Sequence, residues 1–320
     1  MKNNQRKIII VGAGISGLTV AHYLLKHNFQ VTIIEKDDEI GGMAKSSRDN
    51  LNVPNEYSWR GYGPFYKNTF SLMKDIPTSN NHTVYDNLSD PINFYLLSDE
   101  EDDYKQLLSP FDTLIMSYYG IKYLASNNRR NEYYKMNFHD MVGNKLTKHG
   151  YNDVFEFGLG PGLGLEKKSA SYAHFYKVPT INLINDKSYE HKHQHDRQHG
   201  NYKHKASGSW HVMKKPTSEA WFDPWESYLI KKGVKLFKHT KVKQINNDKN
   251  KITSITLTNG DIIKADDYVF CTNPYSSYDI FAHSGLNKLT QTYENLTKNT
   301  SSVQISFFIG LDKEIKYPVD

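Results

Sequence analysis

The chain has one cysteine, Cys271, in 320 residues. A lone thiol excludes an intramolecular disulfide and a cysteine-based zinc site, and it fits a reducing compartment. Within the run YVFC it reads as a buried core thiol. Long apolar runs are also missing: no stretch approaches the roughly 18 consecutive apolar residues of a membrane span, so no transmembrane segment is expected. The opening MKNNQRKIIIVGAG places basic residues ahead of an apolar run, but the run breaks at Gly12 without a cleavage pattern. No signal peptide is therefore expected, and the chain reads as soluble and cytoplasmic. Excess charge is small too, since 40 Lys and Arg against 35 Asp and Glu leave a formal +5. The cations are scattered among acids, which argues for solvated surface and against nucleic-acid binding. Hydrophobic residues make up 38% of the sequence, enough for a packed core in one large or two ordinary domains.

What is present is concentrated near the start. Lys7 to Val11 is a β-branched run ending in Gly12, and Gly12, Gly14 and Gly17 have the spacing of a dinucleotide fingerprint ahead of a helical pattern from Leu18 to Leu25. The first glycine permits a tight turn, the second lets backbone approach a pyrophosphate, and the third lets helix and strand pack closely. The phosphate then sits on a helix N-terminus, where free N–H groups and the dipole favour negative charge. A second β-branched run, Val31 to Ile34, delivers Glu35 about 20 residues beyond the glycines, where a carboxylate accepts the hydroxyls of an adenosine ribose and repels a 2′-phosphate. Ser16 in the turn and Lys36 beside Glu35 complete the contacts expected on this half of a cofactor.

A second glycine pair, Gly41 and Gly42, follows in EKDDEIGGMAKS. This extension resembles the two-dinucleotide-binding motif of FAD-dependent amine oxidases, protoporphyrinogen oxidases and phytoene-desaturase-like enzymes. The resemblance implies FAD as cofactor, with the Gly41–Gly42–Met43 loop closing over its phosphates and approaching the flavin. Many members carry Arg where this chain has Met43, which removes a phosphate or ribitol contact and leaves Lys45 or Arg48 as imperfect substitutes. The segment Asn55 to Pro77 resembles the family's next flavin-side element through Glu56, Trp59, Arg60, Gly61, Tyr62, Gly63 and Pro64, with Tyr57 where histidine is frequent. An aromatic surface turn is the plain alternative.

The implied fold is α/β: a Rossmann-like FAD-binding domain over 1–77 and 232–275, with an inserted α+β substrate domain over 78–231 and 276–320. Thr78 to Lys105 reads as strands and loops with an acidic, solvated run at Asp99 to Asp103, and Tyr104 to Tyr151 as mostly helical. A helical pattern from Thr69 stops before Pro77, and another opens at Pro216 and ends before Gly233. Phe157 to Lys168 invites a second nucleotide-loop reading, but it lacks a preceding strand and carries Pro161. Asp186 to Ala206 holds five histidines in a hydrophilic setting, read as a surface insertion over a metal site. From Val234 strands follow, with a hairpin at Asn259, Gly260 and Asp261. In the family the strand carrying Val242 passes the adenine; from pattern alone, Val242 is equally an ordinary strand residue. The resemblance also implies that the run Tyr268 to Thr272 closes the first pass through the FAD domain, while Ser276 to Leu296 reads as helical and Val303 to Leu311 as a strand.

The resemblance implies an FAD-dependent oxidoreductase of amine oxidase or desaturase type, moving a hydride from a substrate C–H, in an amine or unsaturated hydrocarbon-like small molecule, to flavin. No catalytic acid or base is identifiable. The family's later substrate-domain sheet and final flavin-contacting segment have no counterpart here, so two alternatives stand. One is a truncated, inactive dinucleotide-binding protein or one half of a split flavoenzyme, completed by a partner chain. The other is an NAD-binding reductase that uses only the first fingerprint.

Overall fold

The β-branched run at the start forms β1 (Lys7–Val11), which sits inside a four-stranded parallel sheet of order β5-β2-β1-β9, with β2 at Gln30–Ile34, β5 at Lys235–Phe237 and β9 at Asp267–Phe270; β3 (Ser46–Arg48) and β4 (Pro54–Glu56) pair with each other as a separate antiparallel ribbon. The computed structural model describes residues 5–58, 60–63, 66–79, 81–90, 108–152, 171–173, 210–248, 251–298 and 312–313. Trp59, Pro64, the acidic run 99–103, the Gly-Leu-Gly stretch 157–168, the histidine-rich 186–206 and the strand expected over 303–311 lie outside the described residues.

Both faces of the sheet are covered, as parallel sheets require. Ile8, Ile10, Val31 and Ile33 point into one core, shared with α1 (Ile15–Leu25) and with Trp221, Phe222, Trp225 and Leu229. The last three flank or lie on α6 (Asp223–Lys231), which continues a π-helical turn at Ser218–Phe222. Ile9, Val11 and Ile34 point to the opposite face. There they meet the antiparallel sheet of β6 (Val242–Asp248), β7 (Lys251–Leu257) and β8 (Ile262–Ile263), together with α7 (Pro274–Ala282). Alternate residues of each central strand thus serve two cores, which explains why the strands read as continuous apolar runs.

The hairpin expected at Asn259 to Asp261 joins β7 to β8, with Gly260 at φ 94°. The helix after the aromatic turn is α2 (Lys67–Asp75), and α6 ends two residues before Gly233 at φ 96°. Two expectations are revised. Residues 78–90 carry a 3-10 turn at Val84–Asn87, capped reciprocally by Thr83 and Asp86, and no strand among the described residues. The helix expected over 276–296 is two helices, α7 and α8 (Asn287–Thr297), because Gly285 at φ 66° breaks the run. Cys271 is half-buried, and burial pushes its thiol pKa up.

A separate cluster is built by α3 (Pro110–Ala125), α4 (Asn127–Tyr133) and α5 (Phe138–Met141) around Tyr123, Tyr133, Phe138 and Tyr172. Asp112, fully buried, is satisfied there by Ser109 Oγ at 2.7 Å and by the backbone N–H and hydroxyl of Thr147 at 2.7 and 2.6 Å. Among the described residues, no helix is long and apolar enough to cross a membrane.

The inner face of α1 carries an oddity, His22, which is 1% exposed and has no hydrogen-bond partner for either ring nitrogen among the described residues. It stacks on Tyr228 at 5.3 Å and meets Trp225 and Tyr23 edge-on, while Lys26 and Asp75 form an ion pair beside it. Burial, reinforced by Lys26, lowers its pKa, and Asp75 at 3.7 Å opposes the shift. The unfolded chain takes up the proton near pH 6.5 and the folded chain resists it until lower pH, so stability falls as pH drops below about 6.5. Thermal unfolding followed from about pH 7.5 to about pH 5.5 should show a falling Tm that flattens in His22→Phe. Equal slopes in the two proteins would contradict a buried neutral His22.

Candidate functional site

At the carboxyl end of β1 the chain turns through Gly12, whose φ of 101° disfavours any side chain, and enters α1 at Gly14. The turn is tight because it is packed on two sides. A Cβ on Gly12 would fall 2.8 Å from the Cys271 carbonyl oxygen, and one on Gly17 only 1.9 Å from the Gly12 oxygen. Gly14 differs: a Cβ there would meet only the Gly42 Cα, at 4.0 Å. The helix it opens has no side-chain cap and no acidic residue in its first turn, and Ser16 in that turn is exposed. Uncapped N–H groups beside an open backbone suit an anion.

The second glycine pair is docked onto the first. Gly41 donates its N–H to the Ala13 carbonyl at 2.8 Å and bridges to Gly14 in parallel, and a Cβ on Gly42 would reach within 3.2 Å of the Gly14 Cα. Gly41 takes φ 104°, and Phe222 fills the space where its side chain would be. Two loops that are distant in sequence thus form one backbone-lined rim, and Met43 stands out from it, 78% exposed.

Glu35 closes the site. Although 7% exposed, its carboxylate is not orphaned, because Oε2 accepts the Ala13 N–H at 2.6 Å and Oε1 the Asp37 N–H at 3.0 Å. A carboxylate offers about four acceptor positions, so capacity remains for two hydroxyl donors. Its own backbone bonds to Phe237 and Thr240, which ties the strand end to β5 and to the approach of β6. Val242, 3% exposed, begins β6 and packs in the same core as Ile34. Lys36 lies outside this knot, paired with Asp37 at 2.6 Å. That partner holds the Asp37 pKa below its ordinary value.

Lys45 and Arg48, the cations considered as substitutes at Met43, are engaged elsewhere: Lys45 faces Asp37 at 3.4 Å, and Arg48 pairs with Glu219. The guanidinium that reaches the loop is that of Arg60, donating to the Met43 carbonyl at 2.5 Å and held by Glu56 at 3.2 Å. Glu56 in turn accepts the Thr217 N–H at 2.7 Å. Gly61 is partly exposed beside it, while Tyr62 is buried edge-on to Trp221 at 6.0 Å, hydrogen-bonded through its backbone to His211. Burial drives its phenol pKa up, so Tyr62 stays neutral. No sequence motif announced the Arg60 contact with the loop. Among the described residues no three His, Cys, Asp or Glu side chains gather to hold a metal.

Residues 10–76 match the family model described as the NAD(P)-binding Rossmann-like domain. UDP-galactopyranose mutase of Mycoplasma genitalium is 39% identical over 75 residues, which are 23% of this chain and 18% of that protein. The L-amino-acid oxidase BjussuLAAO-I of Bothrops jararacussu is 40% identical over 47 residues, 15% of this chain and 10% of its own. Among solved structures, putrescine oxidase bound to putrescine superposes with a TM-score of 0.58 at 15% identity, covering 86% of this chain and 60% of that one. The family match thus covers the segment that holds the glycine turns, the fold likeness extends over most of the chain, and the chain spans less than two thirds of each of these proteins.

The glycines make a contrast that can be measured. Gly17→Ala must displace backbone and should lower stability by about 2 kcal/mol or more, whereas Gly14→Ala, at an ordinary φ of −72°, should stay within about 1 kcal/mol. Calorimetric unfolding of the two variants checks this. Similar losses in both would contradict the packing described.

Proposed function

We propose that the chain binds FAD through its adenosine diphosphate half and serves an oxidoreductase of amine oxidase or desaturase type. The observation that carries this reading is the position of the buried Glu35 carboxylate, beside the uncapped start of α1 and the two interlocked glycine loops. The ADP half fits the residues present: Gly14 leaves room for a pyrophosphate where a Cβ would fill it, and Ile15, Ser16 and Gly17 belong to the helix turn whose amides would hold the phosphates. Glu35 would accept the ribose hydroxyls with its remaining lone pairs, Lys36 would flank them, and Val242 would sit beside the adenine. NADP is disfavoured by the same carboxylate.

On the flavin side, Gly41, Gly42 and Met43 would form the near edge, with Gly61 and Tyr62 behind it. Arg60 would supply the cation that the family places on the loop itself, since its guanidinium reaches the Met43 carbonyl. Residues 1–77 and 232–275 would then constitute the cofactor domain, with the remainder toward a small-molecule substrate. Bound FAD accepts a hydride from a C–H beside nitrogen or beside an unsaturated carbon; the protein's share is to bind, orient and exclude water. The relatives and the superposed oxidase support this class without fixing the substrate.

Glu35→Gln tests the assignment, because an amide cannot replace a carboxylate toward the Ala13 and Asp37 N–H groups and ribose hydroxyls together. A hydrogen bond to a charged group is worth about 1.5–3 kcal/mol, so FAD affinity should fall about 10- to 100-fold in a flavin-fluorescence titration. Unchanged affinity in Glu35→Gln would overturn the assignment. Tighter binding of NAD than of FAD by the unmodified chain would favour a nicotinamide-dependent reductase instead.

A further inference from the structure

The loop that carries Gly41, Gly42 and Met43 is held by the π-helical turn at Ser218–Phe222 from two separate points. Phe222, at the far end of the turn, occupies the space beside Gly41 where a Cβ would fall. The near end is tied through side chains. Glu56, the last residue of β4, accepts the Thr217 N–H at 2.7 Å with Oε1 and the Arg60 Nε–H at 3.2 Å with Oε2, and Arg60 Nη2 donates to the Met43 carbonyl at 2.5 Å. Thr217 is 1% exposed and leads into the turn, so its N–H is an anchored donor. The anchoring is repeated one residue on, where Ser218 and Ser46 exchange N–H to Oγ bonds at 2.7 and 2.9 Å. Ser46 is also the partner of Glu56 across the β3–β4 ribbon. Glu56 therefore stands between a fixed N–H and the cation that holds the loop, and among the described residues it makes no bond to the loop itself.

Resting on the assignment of FAD to this site, we propose that Glu56 is a positioning residue for the flavin half of the cofactor. It orients Arg60, and through Arg60 it sets the Met43 end of the loop, without sharing in the grip on the adenosine diphosphate half. The two halves are separable because they lean on different residues. Gly14 and Glu35 serve the diphosphate and ribose, and the Glu35 carboxylate is bonded to Ala13 and Asp37, not to any member of the Glu56 chain. Position 56 calls for a carboxylate, since both of its oxygens face N–H donors. An amide there has one acceptor oxygen, and its NH2 group would meet the Thr217 N–H or the Arg60 Nε–H, donor against donor. One of the two bonds is then lost and the Met43 end is freed from the π-helical turn. Position 60 calls for the planar fork of arginine, which serves two acceptors at once; an ammonium is a point charge and does not reproduce it. A loop end left loose must be ordered each time the flavin side docks, which lowers affinity for that half alone.

Titration of the full chain with FAD and, separately, with ADP reads the two halves. Glu56→Gln should weaken FAD about tenfold and leave ADP within about twofold, and the visible absorption of the bound flavin should move toward that of free FAD. Arg60→Lys, which keeps the charge and loses the fork, should show the same selective loss, and Glu56→Gln should add nothing in an Arg60→Ala background. Glu219→Gln is the matched control: it removes a carboxylate from the same turn, where it pairs with Arg48, and should leave the ratio of FAD to ADP affinity unchanged. Equal losses of FAD and ADP in Glu56→Gln would overturn the proposal, as would unchanged or tighter FAD binding in either single variant, or additive losses in the double variant. An unmodified chain that binds ADP as tightly as FAD would overturn it too, with the diphosphate grip intact. An unmodified chain that binds neither ligand would refute the FAD assignment, and the proposal with it.

Discussion

The structure depends on one carboxylate. Glu35 stands at the end of a central strand, almost fully buried, where an unpaired charge would be strongly destabilising. It is held instead by backbone N–H groups of Ala13, in the turn after β1, and of Asp37, in its own loop. Its main chain meanwhile binds Phe237 and Thr240. One residue therefore fixes the glycine turn against β2 and β5 and sets the path into β6, and the charge that a ligand would meet is already part of the architecture. A site of this kind is preorganised, because its main acceptor does not have to move.

The second constraint is the absence of side chains where the loops meet. Gly12 and Gly17 are excluded from carrying a Cβ by protein atoms, Gly41 by Phe222, and Gly14 by nothing in the protein except a distant Gly42 Cα. That difference separates glycines that serve the fold from the one that leaves a space. The packing behind the loops is aromatic: Trp221 stacks on Phe222 and Trp225, and Tyr62 meets Trp221 edge-on. The meeting edge of the loops is thus backbone, and behind it lies an aromatic stack joined to the core beneath α1.

Features set by local sequence were legible in advance. The strand, turn, helix and strand from Lys7 to Ile34 follow from β-branched runs and glycine spacing, and the hairpin at Gly260 and the stop at Gly233 follow from residues that take positive φ. The role of Glu35 as the acid at the strand end could be placed by count alone; its two backbone donors could not. What escaped the sequence is contact between distant segments. Arg60 reaching the Met43 carbonyl, Phe222 filling the space at Gly41, and Tyr62 lying in the core all depend on three-dimensional packing that no periodicity encodes. Lys45 and Arg48 looked available on charge, yet Asp37 and Glu219 had already captured them. The break at Gly285 is hidden in the sequence because the apolar spacing continues across it.

The first turn and the buried acid are the proposed grip on an adenosine diphosphate. Isothermal titration of the purified chain with FAD, repeated in saturating ADP, measures that grip directly. One site for FAD, lost in proportion as ADP occupies it, is the predicted result. Absence of FAD binding, or FAD binding that ADP leaves untouched, would contradict it.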